Sequence, residues 1–466
     1  MDSAAAASPS SKVDVEAKAI RSLFVEPADE VATVSVRDDR IQLLANESKP
    51  APAEPADPLT LQQVQKLALE NHPALKQSIA VVNKTRGIYR QVGQSPNPVV
   101  GYSAAEIGSD GAAGQQGIFV SQTIVRGDKL SWNRTVAGHA VQAATWDWES
   151  RKMRVVTDVT LQFYETLGAG ERLSQANKLV KIAEDGIKNA VKLLKAEVKG
   201  TTRPDVLQAR IQLGQVRIIL ANAKIDDETE RKKLAALIGR SEISAEDITG
   251  KLFDPARDFE WDLTYREILL RSPEIQAANT RVSRAQAAIE RQNVQTIPNL
   301  QTQLGLAYDF SSGDSIVNVQ LGIALPLSNR NRGNIDAATA EAHRAMHNVE
   351  RLQLALRLRL MSAFAEYRRS KKQTELYSTE IKSKVEENLK LTIEGNQKQL
   401  EAFNSFRVLV ARRLNAQIQL ARINSFVALR KAEARIAGLL LTGGLDAVND
   451  VDGNVGGLRG QALSGQ

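Results

Sequence analysis

The chain states one pattern twice. Helical sequence opening at Leu59-Thr60 runs to Pro96-Asn97, passes through short alternating stretches and enters a very long helical stretch. About two hundred residues later the same order reopens at Leu263-Thr264 and passes Pro298-Asn299 and a second alternating pair into a second long helical stretch. A duplicated unit of a helix, two strands and two long helices leaves few architectures, because tall helices seldom share a fold with so little strand. The fold class that follows is mainly α with a small β part and an internal duplication, the first repeat over 58–250 and the second over 251–442. Residues 1–57, rich in Ala, Pro, Ser and Glu, are expected to form an extended or disordered arm, with a weakly strand-like piece at 31–44. The Gly-, Asn- and Asp-rich residues 443–466 are expected to be a disordered tail.

The helical signal is a heptad seam. Leu173, Ala176, Val180, Ala183, Ile187, Ala190 and Leu194 recur at alternating spacings of three and four, and Val206, Ala209, Leu213, Val216, Leu220 and Ala223 resume the seam after a break at Gly200 to Pro204. Two seams joined by a short Gly/Pro turn predict an antiparallel helical hairpin. Read as one helix, Lys129 to Lys199 is on the order of 100 Å long. Apolar residues are 42% of the chain and rich in Ala, with aromatics at 5%, which suits close helix-to-helix contact more than a broad interior. Helices alone are equally well explained by a coiled-coil rod.

The strands argue against the rod. From Leu300 to Phe310 the positions Leu300, Leu304, Leu306, Tyr308 and Phe310 are apolar and alternate with Gln301, Gln303 and Asp309. From Val317 to Leu325 every odd position is aliphatic: Val317, Val319, Leu321, Ile323 and Leu325. Ser311-Ser312-Gly313-Asp314 supplies the turn. Val99 to Ile107 and Gln116 to Val125 form a first pair that alternates less cleanly. Strands of roughly nine to eleven residues match those that cross a bilayer in a tilted barrel, which would turn Leu304, Leu306, Tyr308, Val319, Leu321 and Ile323 to lipid. A hairpin of a soluble barrel or sandwich is the alternative. Four strands close neither, so the hairpins must pair with copies from other subunits or cover a helical surface. The combination points to a conduit rather than a catalyst.

Composition removes several other functions. The 61 basic and 54 acidic residues are interspersed, giving a net charge of +7 without the basic clusters and stacking aromatics of a nucleic-acid binder. With no Cys there are no disulfides, thiolate metal sites or cysteine nucleophiles. No Gly-rich phosphate loop or nucleophile elbow occurs, so no enzyme activity and no cofactor are expected. His343 and His347, spaced i and i+4 with Glu341, Met346 and Glu350 nearby, are a candidate metal clip; two solvated histidines on a helix face are the alternative. No run of eighteen apolar residues marks a transmembrane helix, and the residues from Met1 to Ser11 show no secretory signal.

The residues resemble a known family, the TolC-like outer-membrane efflux factors, and within it the branch serving heavy-metal exporters of the cobalt/zinc/cadmium and copper/silver type. The resemblance covers about Leu59 to Leu441. Its most specific part is the run from Leu325 to Gly333, Leu-Pro-Leu-Ser-Asn-Arg-Asn-Arg-Gly, in which Ser328 stands where that branch typically carries Phe. Asn71-His72-Pro73-Ala74-Leu75, Pro96-Asn97-Pro98, Ser121-Gln122 before Arg126-Gly127-Asp128-Lys129, and Gly200 through Asp205-Val206-Leu207-Gln208-Ala209-Arg210 support it.

The resemblance implies a homotrimer whose subunits each give four strands to one twelve-stranded outer-membrane β-barrel. The long helical hairpins would form a trimeric α-barrel through the periplasm, closed by an iris-like tip. A periplasmic adaptor protein and an inner-membrane proton-driven (RND-type) pump would complete the path. It places the hairpin turns and adaptor contacts at Gly200, Val206, Leu207 and Gly395, and the strand-to-helix junction at Asn329, Arg330, Asn331, Arg332 and Gly333. Arg330 and Arg332 either shape that junction or snorkel to headgroups. Asp205 could form a threefold carboxylate ring at the tip, or cap its helix beside Pro204; Glu394 and Glu401 share the ambiguity. The expected function is a passive outer-membrane exit duct spanning into the periplasm, exporting heavy-metal cations under the drive of the pump. A drug-efflux or type I secretion duct is the alternative within the class, and a soluble coiled-coil scaffold the alternative outside it.

Overall fold

The computed structural model describes residues 59–108, 113–196, 202–244, 247–398 and 405–447, all within the second of two units divided at Pro55. In chain order the elements are α1 (Leu61–Asn71), α2 (Pro73–Val92), β1 (Val99–Ile107), β2 (Ala113–Ile124), α3 (Lys129–Lys195), α4 (Arg203–Ile238), α5 (Trp261–Arg271), α6 (Pro273–Asn293), β3 (Leu300–Asp309), β4 (Asp314–Ile323), α7 (Arg332–Leu376), α8 (Lys382–Gln397) and α9 (Ser405–Ala437). The second half repeats the first, except that its long helix is split by a π turn at Tyr377–Ile381. The expected arm 1–57 lies outside the described residues.

Local chemistry sets the boundaries. The Thr60 hydroxyl accepts the Gln63 N–H while the Gln63 side chain accepts the Thr60 N–H at 2.8 Å, a capping box that starts α1. The opening helix is not one stretch, as the periodicity suggested. Pro73 and Pro273 lack an N–H and push His72 and Ser272 into extended backbone (ψ 121° and 118°), so each repeat begins with an eleven-residue helix and then a second helix with proline in its first turn. α3 runs unbroken for 67 residues, about 100 Å at the usual rise.

The core is thin and doubled. Val64, Ala68, Phe163, Leu234 and Ile238 bury α1 against α3 and α4, and Ile268, Leu356, Leu360, Tyr367 and Leu429 bury α5 against α7 and α9. Each such Leu, Ile or Phe side chain contributes about 1.5–3 kcal/mol. Between the repeats, the buried Arg430 donates to the carbonyls of Leu252, Asp254 and Pro255 and pairs with the buried Glu433 at 2.6 Å. Glu433 in turn accepts the Arg257 N–H at 2.8 Å, so both charges are satisfied and the linker is tied to α9.

The expected tail begins as ordered structure. Arg151 on α3 donates to the carbonyls of Gly443, Gly444, Asp446 and Ala447, and Asp158 accepts the N–H groups of Gly443 and Gly444. A turn at Gly443 (φ 83°) aims both groups at α3, which low hydrophobicity does not reveal. Residues from 448 on lie outside the described structure.

Candidate functional site

β1 to β4 form one antiparallel sheet in chain order. The register aligns Val100, Val120, Leu304 and Val319 in one row and Tyr102, Ile118, Leu306 and Val317 in the next. Period-two alternation therefore collects Leu304, Leu306, Tyr308, Val319, Leu321 and Ile323 on one face, as expected. These side chains are exposed, from 44% at Tyr308 to 68% at Val319, and no described part of the chain covers them. Ten-residue strands span about 33 Å along their length, and a tilt near 45° brings the band to the height of a bilayer's hydrocarbon core.

The opposite face is mostly small and polar, with Val99, Phe119 and Ile316 among its residues. Ser103, Gln303 and Gln320 lie there with Gly101, Gly117 and Gly305. The Phe119 ring occupies the space a Gly101 Cβ would need, and a Cβ on Gly117 would meet the Leu306 carbonyl oxygen at 2.1 Å, so β2 and β3 approach only because position 117 is glycine. The strands contain no Lys or Arg, and their acidic residues Glu106, Asp309 and Asp314 all sit at the hairpin-turn end. The outer edges of β1 and β4 have no partner strand among the described residues.

Where strand becomes helix, the expected run from Asn329 to Gly333 divides its labour. Asn331 alone of the five is buried. It takes a left-handed backbone (φ 56°) and its amide donates to the Gln292 carbonyl and side-chain oxygens at 2.8 and 3.0 Å. Asn329 accepts the Asn331 N–H at 3.1 Å, while Arg330, Arg332 and Gly333 face solvent. Asp128 occupies the matching place before α3 with φ 54°. Asx residues tolerate this conformation, which turns the chain sharply from sheet to helix.

Beside this junction lies a cluster that sequence reasoning missed. Lys129 and Arg291 are buried, 1% and 0% exposed. Lys129 Nζ donates to Asn299 Oδ1 at 2.9 Å, and Arg291 donates to Asn133 Oδ1 and Gln295 Oε1 at 2.5 and 2.8 Å. Asn133, Gln295 and Asn299 are all neutral. Burial, with repulsion from Arg291, pushes the Lys129 ammonium down to about 8, and burial pushes Arg291 to about 10. Arg291 Nη2 has no hydrogen-bond partner among the described groups. The available signal was the density of Asn and Gln around two isolated cations.

At the tip, Asp205 Oδ2 accepts the Thr202 N–H at 2.7 Å and hydroxyl at 2.6 Å, and these bonds hold its carboxyl below the usual range. Thr202 and Asp205 thus make a capping box that starts α4. Val206 is buried and Leu207 is half exposed. Gly200 and Glu401 lie outside the described residues. Gly395 is not a turn. It is buried inside α8, which continues to Gln397, and without a positive φ nothing there breaks the helix. Glu394 stands 4.0 Å from Lys390 on the same helix.

Around the candidate metal clip the nearby carboxylates already have protein partners. Glu341 gives both oxygens to Arg344 at 2.6 and 2.7 Å, and His347 Nδ1 lies 3.1 Å from Glu350. Among the described residues no three His, Cys, Asp or Glu side chains converge. An open cleft of about 450 Å³ between α3, α4 and the linker holds Asp227 and Arg231, which are paired with each other at 2.6 Å. No described helix is long and apolar enough to cross a membrane.

Known proteins share this design. The chain is 25% identical over 314 residues to the cobalt-zinc-cadmium resistance protein CzcC of Cupriavidus metallidurans, covering 67% of this chain and 73% of that one. A membrane protein from Pseudomonas aeruginosa superposes with a TM-score of 0.68 at 18% identity, over 84% of this chain and 99% of that chain. CusC, described in terms of folding and transmembrane channel formation, superposes with a TM-score of 0.67 at 16% identity, over 84% and 96%. At these identities the superpositions show the fold. The outer membrane efflux protein family model matches residues 64–240 and again 264–440, one match per repeat, which removes the soluble scaffold and an enzyme from consideration. The duplicated chain, with its outward apolar sheet carried on long helices, belongs to the outer membrane efflux protein family.

Proposed function

We propose that three copies of the chain join their sheets, β4 of one to β1 of the next, into a twelve-stranded barrel across the outer membrane. The long helices would continue the path into the periplasm. The protein is then the passive exit duct of a tripartite system, with a periplasmic adaptor and an RND-type inner-membrane pump supplying the drive. The observation that carries this reading is the sheet: an apolar face that no described residue covers and two edges without a partner strand among the described residues, which lipid over the face and further copies at the edges would satisfy. A barrel of about twelve strands is wide enough to leave water inside.

Heavy-metal cations are the proposed cargo. The cobalt-zinc-cadmium resistance relative and the Asn329-Arg330-Asn331-Arg332-Gly333 run support them, whereas no cluster of three or more His, Cys, Asp or Glu among the described residues does. Detergent-extracted protein should run as a trimer that shifts on boiling and should conduct ions in planar bilayers. A monomer without conductance would refute the duct. Deletion in the host should raise sensitivity to cobalt, zinc, cadmium, copper or silver; a rise only toward organic drugs would move the cargo to the drug-efflux alternative.

A further inference from the structure

The two repeats do not bury equivalent surfaces, and the difference identifies the residues of a joint between copies. The helices beside the sheet pack in the row α2, α3, α6, α7, in step with the strand order β1 to β4. Prolines open α2 and α6 at positions 73 and 273, and left-handed residues precede α3 and α7 at 128 and 331. These landmarks make Gly87 the counterpart of Ala287, Gln91 of Arg291, Asp336 of Asn133, His343 of Ala140 and His347 of Ala144.

Within the chain the two repeats meet along α3 and α6. Ala140 and Ala287 are buried there in one cluster, and Arg291 donates to Asn133. The same surfaces recur at the two ends of the row, on α7 and α2, and there they are bare. Asp336, Ala340, His343, His347, Glu350 and Leu354 form an exposed stripe at spacings of three and four on α7, and Leu354 is 63% exposed. On α2, Gln77, Ala80, Gly87 and Gln91 are exposed, and a Cβ on Gly87 would meet nothing within 4 Å. β4 leads into α7 and β1 follows α2, so pairing of the open sheet edges sets the α7 stripe of one copy against α2 of the next.

Resting on the trimeric reading above, we infer that His343 and His347 are seam residues: the His343 ring seats over Gly87 of a second copy, and Asp336 accepts the Gln91 amide of that copy. The size exchange supports the match. Where the internal joint pairs Ala140 with Ala287, the external one pairs a large ring with the residue that has no side chain. A glycine inside a helix is less favourable than alanine in the isolated chain, and close approach of a ring is a reason for it.

The natural absence of cysteine makes the test clean. The full-length double variant Gly87→Cys/His343→Cys, assembled in detergent and oxidised or treated with a short bis-maleimide, should give a covalent ladder ending at three subunits. Neither single variant should. α3 and α6 stand between the two positions within one chain, so an intrachain product does not compete. In a second variant, Gly87→Phe should lower the trimer's dissociation temperature by several degrees, and His343→Ala in that background should restore most of the loss. Trimers that form without a ladder and tolerate Gly87→Phe would overturn the seam while leaving the duct intact. A wild-type protein that never trimerises would overturn the duct itself.

Discussion

Lys129→Met should stabilise the protein and remove a specific piece of its pH dependence. Lys129 is almost wholly buried beside the buried Arg291, and it donates to the neutral Asn299. A fall in pKa from 10.5 to about 8 corresponds to a ceiling of about 3 kcal/mol on the cost of keeping the ammonium charged in the fold, at 1.36 kcal/mol per unit. Methionine keeps the stem and gives up one hydrogen bond, worth roughly 1 kcal/mol net. Asn299 Oδ1 still accepts the Arg126 N–H at 3.4 Å. The expected gain at pH 7 is therefore about 1–2 kcal/mol, in line with other replacements of buried charge by apolar groups. The sign of the pH effect follows from proton binding. Because the folded pKa lies below the unfolded one, the unfolded chain holds more protons between about 8 and 10.5, and wild-type stability should rise across that window. The variant should lose Lys129's part of that rise and keep any due to Arg291. Urea unfolding in detergent at pH 7 and pH 10, followed by tryptophan fluorescence, reads both quantities. A variant less stable by more than about 2 kcal/mol at pH 7, with the wild-type slope retained, would mean that the ammonium is favourably paired and that the argument is wrong.

Other outcomes follow from the sheet and the helix contacts. Leu321→Arg places a charge on the proposed lipid face and should cost about 2–4 kcal/mol of barrel stability if it sits near the midplane; unchanged heat-modifiability would refute the facing. Gly117→Ala drives a methyl into the β3 backbone and should cost about 1–3 kcal/mol or more, whereas Gly322→Ala, with open space around it, should be nearly neutral in the same melting assay. Glu165 is held below its ordinary pKa because hydrogen bonds from Lys431 and Arg172 outweigh the burial that raises it. Its stabilisation is present above the unfolded value and lost as pH falls through the lower folded value, so Glu165→Gln should flatten the acid limb of stability below about pH 4.5. Asp158→Ala should free Gly443 and Gly444, read as faster amide exchange at the start of the C-terminal segment.

Much of the architecture was legible because it rests on period and punctuation. Every-other-residue aliphatics located β3 and β4 to within a few residues, and the Gly200 to Pro204 break ends in the first turn of α4, which opens at Arg203. β1 and β2 were fainter for a physical reason: on the face opposite the apolar band Gly101, Ser103 and Gly117 are too small to contrast with polar residues, Val99 and Phe119 are themselves apolar, and Glu106 adds a kink with φ 58°. The π turn at Tyr377–Ile381 carries no proline or glycine and so left no mark in the sequence. Lys129 and Arg291 read as ordinary solvated cations, since burial of a lone charge depends on neighbours that only the fold brings together. His343 and His347 drew notice for their metal-ligand spacing, yet on a helix that spacing also describes any stripe of surface.

In the proposed barrel the sheet face opposite the apolar band would line the water path, and its make-up bears on traffic. Amides, hydroxyls and glycines predominate there beside Val99, Phe119 and Ile316, with no Lys or Arg and with carboxylates only at the hairpin-turn end. An ion moving past such a wall keeps its hydration shell and finds no deep well along the strands, so its dwell time there is set by diffusion rather than by release from a site. Throughput in that segment should scale with the bulk mobility of the hydrated ion, and a divalent cation should not block a monovalent one. Discrimination among cargoes then has to be complete before they reach the barrel.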